Sequence, residues 1–161
     1  MNFKNLKPFL YFIPAVILQL IVVPLIAIEN VVPDLVTIVL VYFVLNIGQF
    51  YGTALGFTFG LLFDLFSGGV FGSAMLSKTL AGFLTGYFYN ENKVEYYTQT
   101  YAFAIIVLII SSAESMIYTA LSSAVPKSLM VLLLAGGLLP GIYSSIVSFP
   151  VVIFQRKNVI E

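Results

Sequence analysis

Long apolar runs follow one another along almost the whole chain, and only short polar segments separate them. A helix that crosses a bilayer needs about 20 mostly apolar residues. Six runs approach that length, and they cover residues 8–28, 33–48, 50–66, 70–89, 98–124 and 128–154. Charged residues make up 9% of the chain, whereas soluble domains carry about 25%. The sequence therefore predicts an all-α integral membrane protein, a single domain over residues 1–161 that forms a bundle of about six transmembrane helices.

The second and third runs are short, and only the segment NIGQF lies between them. One continuous helix of about 34 residues, at about 1.5 Å per residue, would be far longer than a bilayer is thick. We therefore predict two helices that form a tight hairpin, with its turn at Gly48 and Gln49.

Several classes of function are excluded by the residues that the sequence lacks. It contains no cysteine and no histidine, which removes thiol chemistry, imidazole bases and the commonest transition-metal ligands. Seven basic and seven acidic side chains give a formal net charge of zero, so charge offers no sign of a nucleic-acid partner. No phosphate-binding glycine loop or catalytic constellation is present. We predict no enzyme, no cofactor and no metal site, and a function that lies in the membrane bundle or in a partner.

Positive charges indicate the orientation of the bundle, because cytoplasmic loops are enriched in lysine and arginine. The first run offers no small-residue cleavage site, so it is predicted to be an uncleaved helix rather than a signal peptide. With an even number of spans, both termini and five basic residues lie on one side of the membrane, and only Lys127 lies on the other. Both termini are therefore predicted to be cytoplasmic. The basic residues on the cytoplasmic side are then Lys4, Lys7, Lys93, Arg156 and Lys157.

The stretch GTALGFTFGLLFDLFSGG, residues 52–69, carries small residues at intervals of four. Residues four apart lie on one face of a helix. These positions therefore form a stripe that ends in a carboxylate, namely Gly52, Gly56, Gly60 and Asp64. The fourth run repeats the pattern with Ala74, Lys78, Gly82 and Gly86. Because small residues let helix backbones approach closely within a membrane, the two runs are predicted to pack against each other along these stripes.

Apart from Asp34, at the start of the second run, three charged residues lie inside the predicted spans, and they are Asp64, Lys78 and Glu114. A charge near the bilayer centre costs roughly 2.5–3.5 kcal/mol on insertion scales. Lys78 is therefore predicted to pair with Asp64, with Glu114 or with both. Counting from the external helix ends places Lys78 and Glu114 at nearly equal depth. Three roles stay open for this buried charge cluster: fixing the register of the helices, transporting a substrate or relaying protons, and shaping a surface for a partner.

Two further motifs have local explanations on the external side of the bundle. In VVPDLVTIVLVYF, Pro33 suits the first position of a helix, and Asp34 is favourable near a helix N-terminus. The segment FSGGVFG, residues 66–72, has the composition of a tight turn that leads into a helix. The first motif is predicted to cap a helix and the second to form a compact hairpin.

Two longer stretches, PDLVTIVLVYF and GTALGFTFGLLFDLFSGGVFGSAMLSKTLAGFLTGYF, together resemble the family of the rod-shape-determining protein MreD over residues 33–88. That family begins its second helix with Pro-Asp-Leu. Its glycine-rich helix runs into Asp-x-x-Ser-Gly, and the following helix ends near Gly-Tyr. The order and spacing of these motifs carry the resemblance. One departure is Gly69-Val70, where the turn of the family often contains a proline.

The resemblance implies a non-enzymatic subunit of the bacterial elongation machinery in the inner membrane. It implies binding to the scaffold MreC and, less directly, cooperation with MreB, a SEDS glycosyltransferase and a class B penicillin-binding protein in peptidoglycan synthesis and rod-shape maintenance. Candidates for the hairpin and partner surface are Pro33, Asp34, Asp64, Ser67, Gly68 and Gly72. The stripe Gly52–Gly56–Gly60 joins this surface if it is not already used inside the bundle.

The resemblance also implies an alternative, because MreD is similar in fold to the S components of energy-coupling-factor transporters. The chain would then be the substrate-binding subunit of a transporter for a small molecule such as a vitamin. S components usually dock on their scaffold through Ala-x-x-x-Ala in the first helix, and PAVILQLIVVPLIA lacks that motif. They also tend to have a substantial polar external loop over the substrate, and no loop here is long enough. The sequence therefore favours the elongation subunit.

Overall fold

The computed structural model describes residues 7–28, 31–122 and 128–157, with the backbone alone for 154–157. Lys4 and Lys127, which enter the orientation prediction, lie outside the described residues, as do the side chains of Arg156 and Lys157. The helices are α1 (Lys7–Ile21), α2 (Leu35–Ile47), α3 (Gln49–Ser67), α4 (Ser73–Gly86), α5 (Val94–Gln99), α6 (Tyr101–Ser122), α7 (Leu129–Leu133) and α8 (Leu139–Lys157).

Short 3₁₀ turns cover Val23–Ile26 and Glu91–Lys93, and a π-helical segment, Leu134–Leu138, joins α7 to α8. Within the described ranges no β-strand occurs, and the only extended pairing is an isolated bridge between Ile28 and Val31. The predicted all-α fold class is confirmed.

Among the described residues, three helical stretches are long and apolar enough to cross a membrane: Gln49–Ser67, Tyr101–Ser122 and Leu129–Ile153, the last of which runs from α7 through the π-helical segment into α8. The apolar helices α1 and α2 are shorter, with 15 and 13 residues. Each of the six predicted runs contains a helix, but several helices are shorter than the run. For example, α1 ends before Pro24, because proline has no N–H to continue the hydrogen-bond ladder. The number of six crossings stays a prediction.

A single residue, Gly48, separates α2 from α3. Its φ of +105° is rarely adopted by residues that carry a side chain, so glycine permits the break between the two helices here. The predicted turn in NIGQF is confirmed, and the alternative of one continuous helix is wrong.

The hydrophobic core lies where α1, α2, α3 and α6 meet. At its centre, the fully buried ring of Phe59 stacks on Phe12 with 4.1 Å between the ring centroids. Around this pair pack fully buried side chains from α2 and α6, including Val36, Leu40, Val41, Phe103 and Val107. In contrast, Leu10, Ile105 and Ile146 are large apolar side chains on the outside of the bundle. Because soluble monomers rarely expose large apolar patches, this exterior fits contact with lipid.

The helices α3 and α4 pack backbone to backbone along the predicted stripes. A Cβ atom added at Gly56 would overlap the carbonyl oxygen of Lys78, and one added at Gly60 would overlap the carbonyl oxygen of Ala74. Helix backbone cannot move aside as a flexible side chain can, so the close approach depends on glycine. The stripe Gly52–Gly56–Gly60 is therefore used inside the bundle and is not a free surface for a partner.

Candidate functional site

Lys78 lies in the interior of the bundle on α4, with 2% of its side chain exposed. Its ammonium group donates to Oδ2 of Asp34, to Oγ1 of Thr37 at 3.0 Å and to Oε1 of Glu114 at 3.1 Å. An ammonium group has three N–H donors, so each of them has a partner here. We refer to Asp34, Lys78 and Glu114 as the charge cluster.

Asp34 brings the N-terminus of α2 into the charge cluster. As the N-cap residue of α2, it accepts at Oδ1 from the backbone N–H of Thr37 at 2.9 Å. Its own backbone N–H donates to Oγ of Ser144 on α8 at 2.8 Å. The cap predicted from VVPD is therefore present at Asp34, whereas Pro33 lies before the N-cap and is not the first helical residue as expected. The sequence analysis does not predict the additional ion pair with Lys78, because capping already explains an acid at this position and the two residues lie 44 positions apart.

Glu114 on α6 completes the charge cluster and is 3% exposed. Its Oε1 accepts from Lys78 and also from the hydroxyl of Ser77 at 2.9 Å. The cluster therefore joins α2, α4 and α6, and the hydrogen bond between Asp34 and Ser144 adds α8. Removing one member of a buried ion pair leaves an uncompensated charge, so this network stabilises one relative placement of the four helices.

Asp64 makes contacts that differ from those predicted. Its buried carboxylate accepts from the backbone N–H groups of Gly72 at 2.9 Å, Ala74 at 3.1 Å and Met75 at 2.9 Å. Among the residues that the structure describes, no ion pair joins Asp64 to Lys78. The predicted option of a pair between these two residues is therefore corrected, and Asp34 takes that place beside Glu114.

The start of α4 gives the physical reason for this correction. The first four N–H groups of a helix have no partner within the helix. The N-cap residue of α4 is Gly72, which makes no side-chain cap. The carboxylate of Asp64, near the end of α3, supplies the missing acceptor and also suits the positive end of the helix dipole. Residue spacing places Asp64 on the face toward α4 but does not show that these backbone groups need an acceptor.

Four of the six candidates for a partner surface are engaged inside the protein. Asp34 and Asp64 make the contacts given above, and the carbonyl oxygen of Pro33 accepts from the side-chain amide of Gln19 on α1 at 3.0 Å. The hydroxyl oxygen of Ser67 is buried, with no hydrogen-bond partner among the described residues. The polar groups of these four residues therefore lie inside the protein, and Asp34 alone among them also lines the cavity described below.

The other two candidates, Gly68 and Gly72, lie in the turn between α3 and α4, with φ values of +66° and +94°. A Cβ atom at either position would meet no neighbour within 4 Å. The apolar side chains around them point outward and are each more than half exposed, and they are Leu65, Phe66, Val70 and Phe71. We refer to these four side chains as the apolar turn.

A cavity of about 230 Å³ lies beside the charge cluster. Part of its wall is polar and comes from the three charged residues together with Gln19, Ser115 and Tyr118. The rest is apolar and comes from Val23, Pro24, Val32, Phe63 and Ala74. Within the described ranges, no group of three or more His, Cys, Asp or Glu side chains is placed to hold a metal ion. The chemistry of the cavity is therefore that of two carboxyl groups, one ammonium group and neutral hydrogen-bonding groups.

Three residues that the sequence analysis does not single out complete the polar network, and they are Thr37, Ser77 and Ser144. Thr37 also donates from its hydroxyl to Oδ2 of Asp34 at 3.0 Å. An N-cap acid points to the residue three positions on, whose backbone N–H it bonds, but not to a contact of that residue's side chain. Ser144 accepts from the hydroxyl of Ser111 at 3.0 Å, and single serines of this kind in apolar helices carry no comparable signal.

An all-helical bundle with an apolar exterior and a buried, hydrogen-bonded charge cluster defines an integral membrane protein whose charges hold its helices together. Residues 2–157 match the family described as rod shape-determining protein MreD, so the chain belongs to the MreD family. No curated protein and no solved structure matches the chain. The resemblance drawn from residues 33–88 is thus confirmed over nearly the whole chain. The protein is a bacterial membrane protein with a role in rod-shape determination.

Proposed function

We propose that this chain is a non-enzymatic subunit of the elongation machinery in the bacterial inner membrane, where it binds MreC and supports peptidoglycan synthesis. Membership of the MreD family over residues 2–157 is the observation that carries this proposal. The polar interior supports a structural subunit. Lys78 uses all its donors, and the carboxylate of Asp64 accepts three backbone hydrogen bonds, all to groups of the bundle itself. Groups held in this way stabilise a shape.

We further propose six crossings, with both termini in the cytoplasm and the apolar turn on the periplasmic side. Lys93 supports this orientation, because it follows α4 and so lies beyond the opposite end of that helix from the apolar turn. Exposed tyrosines near Lys93, namely Tyr87, Tyr96 and Tyr101, fit an aromatic belt at a membrane interface. A reporter enzyme that works only in the cytoplasm should be active when it is fused after residue 161. A reporter that works only in the periplasm should be active when it is inserted at the apolar turn.

The apolar turn is the surface that we assign to MreC. Its exposed aromatic side chains, Phe66 and Phe71, are of the type that dominates binding energy at protein interfaces. The carboxylate of Asp64 anchors the turn directly, because it accepts from the backbone of Gly72. A turn held in one conformation loses less entropy on binding than a flexible one.

Site-specific photo-crosslinking in cells tests this assignment. A photo-reactive amino acid at position 66 or 71 is expected to form an adduct with MreC. The matched controls are positions 105 and 109 on α6, which also carry exposed isoleucines but lie on a different helix. Phe71→Ser should weaken the affinity for MreC at least about tenfold, equivalent to 1.4 kcal/mol, and so lower the amount of MreC that co-purifies. Adducts from 105 and 109 alone, or full co-purification with the variant, would move the contact away from the apolar turn.

One observation bears on the alternative of a transporter subunit, namely that a cavity lies beside the charge cluster. Its volume of about 230 Å³ is below the roughly 300–1,000 Å³ that is typical of pockets for drug-sized ligands, so a vitamin would not fit without a change in shape. Depletion of the protein separates the two functions. Loss of rod shape supports the elongation subunit, whereas normal rods with a defect in vitamin uptake support the transporter subunit.

A further inference from the structure

In the charge cluster, hydrogen bonds within the fold use every donor of Lys78 but not every acceptor site of the two acids. Lys78 has no free N–H, because its three donors already meet Asp34, Thr37 and Glu114. An anion or another hydrogen-bond acceptor would therefore find no donor on this side chain. A ligand that needs a donor from Lys78 must displace Asp34, Thr37 or Glu114.

The carboxyl groups, in contrast, have acceptor capacity left. Both hydrogen bonds described for Glu114 end on Oε1, and a carboxylate has about four acceptor sites. The side chain of Asp34 is 16% exposed, against 2% for Lys78, so it is the most accessible member of the cluster. When both carboxyl groups are ionised, they face one ammonium group and leave one formal negative charge in excess.

The cavity lies where this excess is located. Asp34 and Glu114 line it together with Lys78, and the hydroxyl groups of Ser115 and Tyr118, which can accept as well as donate, lie in the same wall. The ring of Phe63 also lines it, with its centroid 5.5 Å from Nζ of Lys78. This ring therefore already interacts with the ammonium group of Lys78. The carboxyl oxygens with unused acceptor sites and the hydroxyl groups around the cavity favour a cationic ligand that donates hydrogen bonds.

We propose that this cavity binds a small organic cation, an ammonium or guanidinium group, with the carboxyl groups of Glu114 and Asp34 as its main acceptors. The volume of about 230 Å³ limits the ligand to a compact group. The same chemistry is offered by a free small molecule and by the end of a lysine or arginine side chain from a partner. The site does not depend on which protein contacts the apolar turn.

Calorimetric titration of the purified full-length chain in detergent tests the site. The probes are methylguanidinium chloride and methylammonium chloride, with acetamide as a neutral control and sodium acetate as an anionic one. Saturable binding of the two cations, with none of the controls, is expected. Glu114→Gln should weaken the binding of both cations at least tenfold. The matched control Glu91→Gln, which changes an exposed acid in the 3₁₀ turn, should leave it unchanged.

A second variant tests the cavity rather than the charge. Ser115→Leu fills the cavity while it keeps all three charged residues, and it should abolish cation binding without changing the melting temperature by more than a few degrees. Tetrabutylammonium, which is too large, should not bind to the unaltered chain. Absence of saturable cation binding to the unaltered chain, or equal binding by the Glu114→Gln variant, would overturn the proposal.

The two sources of the cation give different results in one further measurement. Native mass spectrometry of the freshly purified chain should show a mass increment if the occupant is a free small molecule. If the occupant is a side chain of a partner, methylguanidinium should instead lower the co-purification of that partner in proportion to its occupancy of the cavity. Either result supports the site, and the failure of both together with the titration would remove it. Neither result bears on the contact proposed at the apolar turn, which the crosslinking tests separately.

Discussion

The two sides of α4 hold the bundle together by opposite means. Toward α3, the backbone of α4 lies directly against Gly56 and Gly60 with no side chain between. Toward α2 and α6, the same helix extends Ser77 and Lys78 to carboxyl groups on its neighbours. Both modes meet in one residue, because the carbonyl oxygen of Lys78 lies next to Gly56 while its ammonium group lies in the charge cluster.

The difference shows that close backbone packing and buried charge contribute separately to the association of helices in a membrane. Lipid offers no hydrophobic contrast that would drive helices together, so close van der Waals contact along the glycine side has to provide attraction. A buried charge, in contrast, is costly unless its partner is in place, so the polar side selects one relative placement of the helices. The glycine side should therefore respond to added volume, and the polar side to lost charge.

The largest effect is expected on the polar side, from Lys78→Met. Methionine has a similar length and no charge, so Asp34 and Glu114 would lose their counter-charge while they stay buried. Breaking a buried pair in this way costs about 3–5 kcal/mol. Chemical unfolding of the solubilised protein measures the loss. Lys93→Met, at an exposed position, is the matched control and should unfold like the unaltered chain. Equal unfolding midpoints for the two variants would mean that the cluster does not stabilise the bundle.

A somewhat smaller effect is expected on the glycine side, from Gly56→Leu. The new side chain would overlap the backbone of α4 at Lys78, and overpacking of this kind costs about 1–3 kcal/mol. The same unfolding assay applies, with Ala54→Leu as control, because Ala54 is exposed on the same helix. If both leucine variants are equally stable, the two helices do not depend on close approach at this position.

Asp64→Ala tests the connection between α3 and the start of α4. It removes the acceptor of three backbone N–H groups, and loss of an N-cap acceptor costs about 0.5–2 kcal/mol. Hydrogen exchange at the amides of Ala74 and Met75 should become faster, while exchange in α6 stays slow. Asp64→Asn keeps one acceptor oxygen and should show a smaller increase. Unchanged protection at Ala74 and Met75 in the alanine variant would contradict the capping role.

The smallest effect is expected from Ser144→Ala, which leaves the backbone N–H of Asp34 without its acceptor on α8. The hydroxyl of Ser111 loses the same acceptor, and each hydrogen bond lost from a buried network costs about 1 kcal/mol. The control is Thr58→Ala, because the hydroxyl of Thr58 donates only to Ala54 within its own helix. A melting temperature lowered equally by both substitutions would show that the hydroxyl of Ser144 contributes nothing beyond helix propensity.

Most of the helices could be predicted from the sequence, because apolar runs, prolines and glycines act locally. The turn at Gly48 and the contact between the two small-residue stripes follow from rules that span only a few residues. Helix ends were harder to place, since α4 begins only at Ser73 and ends at Gly86, inside a longer apolar run. Apolar composition shows that a segment suits a membrane, and turn geometry decides where its helix stops.

The candidate site was only partly predictable. Lys78 and Glu114 stand out because charges are rare in apolar segments, and the structure places them 3.1 Å apart. The sequence explains Asp34 as a helix cap and a candidate for the partner surface but not as a partner of Lys78, because an acid that follows proline before an apolar run has a sufficient local reason. The sequence does not show that a capping carboxylate can accept from a second group at the same time.

The sequence by itself determined the class of protein, the MreD family, the order of the helices and the close approach of α3 and α4. Only the tertiary structure decided which acid meets Lys78. Helical periodicity specifies the face of a helix on which a residue lies, but a contact between helices also depends on their rotation and depth. Here the free N–H groups at the start of α4 bind Asp64, which leaves Lys78 to pair with Asp34 and Glu114.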